Sequence, residues 1–183
     1  MARGKSSKFI KVLTSKDTEL IKQLSRTGVS TSEQIKKHIG LSDERITKLA
    51  NSNFISITKE VVEGKTRNII KLNDKGKKYA REELAVTFFP RVQSNHLYHD
   101  IKLTEMYFRL PNDVKETWRS ENEIVLSLYS ENINLDNCVD ATVIIDGETV
   151  GIESIGNTYT DDIIATKHEI ATTILGCSRI ISA

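Results

Sequence analysis

Asp140 and Glu153 are the first residues of this 183-residue chain whose types and spacing could do chemistry. They sit in "CVDATVIIDGETVGIESIGN", residues 138–157, where two short apolar runs flank Asp146-Gly147. An Asp-Gly pair between such runs predicts a two-residue hairpin turn. That turn sets Val143 against Val150, Ala141 against Ile152 and Asp140 against Glu153. Two carboxylates opposed on one face repel each other. A proton, a cationic side chain or a divalent metal must offset the repulsion.

The flanking segments supply further ionisable groups. In "NHLYHDIKLTEMYFRL", Leu97, Ile101, Glu105 and Phe108 share a helix face, so Glu105 interrupts an apolar stripe. In "TYTDDIIATKHEIATTILG", Ile163, Lys167, Ile170 and Ile174 make a second stripe, with Lys167 as its polar member. Charges directed into a core are costly unless paired, so Asp140, Glu153, Glu105 and Lys167 are expected to converge. His96 and His99, spaced i, i+3, can flank a metal or a phosphate; the commoner role of such a pair is a surface or hydrogen-bonded core histidine. Trp118 is expected to pack against the sheet.

The elements that must position these groups read α-β-β-β-α-β. A helix ends at Pro111, and "SENEIVLSLYS", "NCVDATVIID" and "ETVGIESI" are expected strands. A second helix stops at Gly176, and "CSRIISA" closes as a strand.

Charge divides the chain. Residues 1–90 hold 19 Lys+Arg against 10 Asp+Glu, net +9, and residues 91–183 hold 7 against 15, net −8. Such asymmetry points to nucleic acid for the first half and a different task for the second. Cys138 and Cys177 have no ligand spacing around them, which argues against a zinc site or a disulfide framework. With no apolar leader segment and no run of ~18 apolar residues, a cytoplasmic protein is expected.

The basic half, residues 1–88, reads as three helices and a hairpin. "SKDTELIKQLSRTG" buries Leu20, Ile21 and Leu24 and stops at Gly28; "STSEQIKKHIG" and "LSDERITKLANSN" follow as a helix-turn-helix. In "FISITKEVVEGKTRNIIKL", a turn at Glu63-Gly64 pairs Ile57 with Ile70, Ile55 with Leu72 and Glu60 with Arg67. Helix-turn-helix followed by a charged hairpin is the winged-helix pattern, and double-stranded DNA is the partner it implies. Arg45, Thr47, Lys48 and Asn51 on the third helix would read the major groove. Lys59, Lys65 and Arg67 on the hairpin, with Arg3, Lys5 and Lys8 on the tail, would contact phosphates. Asp43 and Glu44 favour the helix dipole yet would repel a phosphate beside them.

Over residues 89–183, the α-β-β-β-α-β order with Asp140 and Glu153 on successive strands resembles the PD-(D/E)xK nuclease core. Joined to a winged helix, and with "HDIKLTEMYF", "VDATVIIDG", "GIES" and "ATKHEI", the chain resembles the replication-relaxation proteins of plasmids and other mobile elements. The resemblance implies an α+β fold and sequence-specific DNA binding at a plasmid or phage locus, in replication, mobilisation or transcriptional control. Because one winged helix seldom supplies enough specificity alone, a homodimer is expected, with the acidic domain mediating dimerisation or contacting a protein partner. The alternative the resemblance implies is a metal-dependent endonuclease. Asp140, Glu153 and Glu105 would then hold Mg²⁺, and Lys167 would replace the motif lysine, since Ile155 stands in that place. If the site is degenerate, Lys167 simply neutralises the two acids. A protein-interaction adaptor is the third reading.

Overall fold

The computed structural model describes residues 7–92, 94–129, 137–156 and 159–183. The chain is mixed α+β and forms two compact units, Met1–Thr87 and Phe88–Ala183. Among the described residues, no helix is long and apolar enough to cross a membrane.

In the first unit, α1 (Ser15–Thr27) starts at Thr14, whose hydroxyl and the Asp17 carboxylate form a reciprocal capping box. It stops where Gly28 takes φ +81°, a conformation that costs glycine little. A two-residue strand β1 (Ser30–Thr31) leads into α2 (Ser32–His38), which Thr31 and Gln34 cap in the same reciprocal way. Ser42 caps α3 (Asp43–Asn51). Strands β2 (Ile55–Val62) and β3 (Lys65–Leu72) then pair antiparallel, with Ile57 on Ile70, Ile55 on Leu72 and Glu60 on Arg67. Glu63 and Gly64 both take positive φ, the turn whose twist suits a two-residue hairpin. β1, unforeseen in the sequence, adds to β3 and completes a sheet of order β1-β3-β2. Leu20, Ile21, Leu24, Ile35, Leu49, Ile69 and Ile70 are buried between helices and sheet. On α4 (Asp74–Glu83), Gly76 allows close approach: a Cβ there would lie 2.2 Å from the Phe54 carbonyl oxygen.

The second unit opens with α5 (Leu97–Arg109), which ends as Leu110 turns extended ahead of Pro111. After α6 (Asn112–Glu116), Trp118 is buried edge-on against Tyr107, ring centroids 5.2 Å apart. The strand expected at "SENEIVLSLYS" is corrected. Only β4 (Arg119–Ser120) is extended, and Glu121–Leu128 is a helix, α7. Glu121 and Glu123 in its first turn suit a helix N-terminus. Ile124 and Leu128, one turn apart, pack with Cys138, Val139, Ile170, Ala171 and Cys177.

β5 (Ala141–Ile145) and β6 (Glu148–Glu153) form the hairpin in the expected register, Val143 on Val150 and Ala141 on Ile152. Asp146 and Gly147 both take positive φ at its turn. Thr160 caps α8 (Asp161–Glu169), which continues through a π-helical turn, Ile170–Ile174, to Gly176. This crossover delivers β7 (Arg179–Ser182) parallel to β6, so the sheet runs β4-β5-β6-β7.

Candidate functional site

The pairing of β5 with β6 stops at Ala141–Ile152, so Asp140 and Glu153 leave the ladder together at its open end. There each backbone meets the other's side chain. The Asp140 N–H donates to Glu153 Oε2 at 3.2 Å, and Asp140 Oδ2 accepts from the Ser154 N–H at 2.7 Å. The acids are therefore neighbours, as the hairpin register requires.

Cationic side chains face both of them. Lys167, buried on α8, sets its Nζ 3.0 Å from Glu153 Oε1 and 3.2 Å from Oε2, and donates to the Cys138 carbonyl at 2.6 Å. From α5, His99 Nε2 lies 3.0 Å from Asp140 Oδ2, and its Nδ1 lies 3.2 Å from Asp100 Oδ1. The Tyr159 hydroxyl donates to Glu153 Oε1 at 2.8 Å. His99, Asp100, Asp140, Tyr159 and Lys167 line an open cleft of about 310 Å³ that also touches Arg91, His96, Glu121 and Gly156, whereas Glu153 is buried and does not line it.

Burial pushes the Glu153 carboxyl above the ordinary range, and the neighbouring Asp140 pushes it further, against the opposing pull of Lys167. Glu121, exposed at the start of α7, is raised by partial desolvation first and by Asp140 second. Burial works to lower His99, but Asp100 and Asp140 outweigh it and hold the imidazole up at about 10. Burial lifts the Cys138 thiol to about 12, so it stays protonated. Tyr159 is raised by burial and by Glu153, which keeps its phenol a donor.

A divalent ion would reach this donor set only by displacing the proton that Asp100 and Asp140 hold on His99. His99, Asp140 and Glu153 each offer one ligand atom, all within 4.8 Å of one another. The Oδ2 of Asp100 is buried with no hydrogen-bond partner among the described residues, an acceptor left over beside the cleft.

Three of the four residues expected to converge do so: Asp140, Glu153 and Lys167. Glu105 does not belong with them. It lies 3.7 Å from Arg109 on its own helix. At 3.6 residues per turn it sits roughly 120° round α5 from His99, and α5 buries Thr104, Met106, Tyr107 and Phe108 instead. His99 was expected only as one of a pair that can flank a metal or a phosphate, and Asp100, Glu121 and Tyr159 were missed as site members. Only "HLYHD" carried a signal, and its histidines divide: His99 enters the cluster, while His96 is exposed at the rim.

The first unit places its candidate DNA contacts unequally. Arg45 is no free reader: its guanidinium binds the fully buried Asp17 through Nε at 3.0 Å and through Nη2, which also donates to the Val12 carbonyl. The Thr14-x-x-Asp17 spacing, a capping signature, was the available sign that Asp17 is fixed in place. Lys48 pairs with Glu44 at 2.8 Å, Thr47 bonds back to the Asp43 carbonyl, and Asn51 donates to the Lys8 carbonyl. Lys8, Lys59 and Lys65 are exposed and Arg67 is partly buried. Arg3 and Lys5 lie outside the described residues.

Comparison with protein-family models, with curated proteins and with solved structures finds no match to this chain.

Proposed function

We propose that the protein binds double-stranded DNA through its first unit, read as a winged helix, and that its second unit is a PD-(D/E)xK-like domain. The carrying observation is electrostatic. Lys8, Lys59 and Lys65 are exposed with no carboxylate partner among the described residues, while the two acids of α3 are neutralised. Asp43 pairs with Lys36 at 3.1 Å and Glu44 with Lys48 at 2.8 Å, which answers the objection that they would repel phosphate. Thr47 and Asn51 remain on the exposed face of α3 to meet bases, with Arg45 holding the helix in place beneath them.

The setting we propose is a plasmid or phage locus of the replication-relaxation kind, in the cytoplasm. The protein would act as a homodimer, with the acidic unit open to a protein partner. One small reading head contacts too few bases to be specific alone.

The test is duplex binding by fluorescence anisotropy across a salt series. Each phosphate contact contributes about 0.9 to the slope of log K against log salt. Lys59→Ala with Lys65→Ala should therefore flatten the slope by about 2. Affinity indifferent to salt would sink the reading and leave a protein-interaction adaptor.

A second reading, a metal-dependent endonuclease, is favoured by one observation: Asp140 and Lys167 line an open cleft and meet around the buried Glu153. Asp140 and Glu153 would hold the ion, which when bound supplies Lewis-acid polarisation of a phosphoryl oxygen and an activated water. Lys167, fixed by Glu153 and the Cys138 carbonyl, would set its ammonium beside the charge that develops on the attacked phosphate. Metal-dependent nicking of supercoiled plasmid, lost in Glu153→Ala, is the outcome this reading expects. Intact plasmid from DNA-binding protein removes it.

A further inference from the structure

Residues 8–12 lie along α3 as a strap. Three bonds join the two. Asn51 Nδ2 donates to the Lys8 carbonyl at 3.2 Å, the Ile10 N–H donates to Ser52 Oγ at 2.8 Å, and Arg45 Nη2 donates to the Val12 carbonyl at 2.9 Å. Arg45 and Ser52 are seven residues apart, which places them on one flank of the helix, two turns and about 10 Å from each other. The strap therefore runs antiparallel to α3, from its C-terminal end back to its first turn. Phe9 is 59% and Val12 75% exposed, so these polar bonds set its course more than apolar packing does. Ser7 Oγ accepts from the Phe9 N–H at 3.2 Å and donates to the Phe9 carbonyl at 3.0 Å, a local bond that fixes the bend at Lys8 and Phe9.

The strap leaves the reading face of α3 open. At 3.6 residues per turn, Thr47 sits roughly 160° round the helix from Arg45, so the strap lies beside Thr47 and not over it. What the strap adds to that face is charge. Its backbone groups turn to the helix, while the side chains of Lys8 and Lys11 are exposed with no carboxylate partner among the described residues. Three residues of chain separate them by at most about 11 Å. That span matches about three successive phosphates of one strand, at about 3.4 Å of helix axis each.

We propose that the strap is a further DNA-contacting element of the first unit: Lys11, with Lys8, meets phosphates on the flank of α3, and Ser52 and Asn51 are positioning residues that hold it there. This rests on the DNA-binding reading and adds to it a contact residue, Lys11, and the clamp that places it.

The test uses the full chain, a fluorescein-labelled mixed-sequence duplex and a salt series, with exchange of the Ile10 amide followed by NMR as a readout that needs no DNA. The Ile10 amide should exchange slowly in the free protein and about fivefold or more faster in Ser52→Ala. Lys11→Ala should flatten the slope of log K against log salt by about 1. Ser52→Ala should weaken binding about threefold or more. Lys11→Ala added to it should then cost less than in the wild type, the coupling that a purely structural role of Ser52 would not produce. Ser52→Thr keeps the hydroxyl and should restore both readouts. Steep salt dependence in the wild type with an unchanged slope in Lys11→Ala, additive Lys11 and Ser52 effects, or an Ile10 amide equally fast in wild type and Ser52→Ala overturns the strap and leaves the DNA-binding reading standing. Wild-type affinity indifferent to salt removes that reading and the strap's role with it, even where the Ile10 amide proves protected.

Discussion

Asp17 in the first unit and Glu153 in the second are both buried carboxylates that face a cation, and their surroundings differ in three respects. Asp17 is the lone acid of its site. It caps α1 through the Thr14 N–H at 2.7 Å and meets the Arg45 guanidinium on the other side. Although burial disfavours its charge, these bonds hold its carboxyl below the ordinary value. Glu153 stands beside Asp140 and near Glu121, and its carboxyl is driven up instead of down. Asp17 also sits at a helix start with its bonds closed locally, whereas the Glu153 cluster borders a cleft of about 310 Å³. A carboxylate that the fold would rather keep ionised is part of the scaffold. One that the fold leaves in excess, next to open space, is poised to take something else.

The largest effect that tests this contrast is Asp17→Ala. It removes a helix cap and leaves Arg45 against the Val12 carbonyl without a counter-charge. Loss of the cap together with the charge-assisted bonds of a buried carboxylate should lower stability by about 2–3 kcal/mol, measured by urea unfolding of the full chain. A loss under about 1 kcal/mol would show that the pair is ornamental. The same residue gives a pH signature. A carboxyl lowered in the folded state stabilises above its ordinary value of 3.8, and that contribution fades as pH falls through the lower folded value. Amide signals of α1 should therefore be lost on acidification below about pH 4, and Asp17→Asn should flatten the dependence.

Glu153→Ala should cost less, about 1–2 kcal/mol. Lys167 loses its counter-charge, yet it keeps the Cys138 carbonyl at 2.6 Å, and the repulsion from Asp140 disappears. Following with Lys167→Met should recover most of the loss, since a buried pair replaced by apolar volume is often neutral. A cost equal to that of Asp17→Ala would erase the distinction between the two sites. Trp118, the chain's single tryptophan, lies in the second unit, so its fluorescence reports this unfolding directly.

The parts of this arrangement that were legible in the sequence are those fixed by short-range rules. Period-two alternation and the Glu63-Gly64 and Asp146-Gly147 turns set both hairpin registers, and the second register brings Asp140 to Glu153. Lys167 announced itself as the one charge in an apolar helical stripe. Where the rule needs a third dimension, the reading failed. "EIVLSLY" is rich in strand-forming residues, yet Ile124 and Leu128 bury on a helix because the core formed by Val139, Ile170 and Ala171 lies on one side of it. Glu105 fitted a stripe on α5, but that helix buries Met106, Tyr107 and Phe108 in succession, a broad face that no single stripe describes. His99, Glu121 and Tyr159 come from three separate segments, and nothing in their spacing ties them to Asp140. Arg45 looked like an exposed groove reader because its partner, Asp17, lies 28 residues away.

The smallest effect isolates what the two units share. Gly64 and Gly147 occupy the same place in their hairpins at φ +71° and +80°, and a Cβ on either meets nothing within 4 Å. Alanine at each should therefore cost the same, about 1–2 kcal/mol, from backbone strain alone. The residues before them differ: Glu63 and Asp146 also take positive φ, +50° and +53°, where a short polar side chain is better tolerated than a long one. Glu63→Asn should consequently gain a few tenths of a kcal/mol in the first unit, and Asp146→Asn should change nothing measurable in the second. Unequal glycine costs would mean that the hairpins are coupled to their units through contacts beyond the turn. Equal costs leave the turns as interchangeable parts and confine the difference between the units to the acids and bases that each sheet carries.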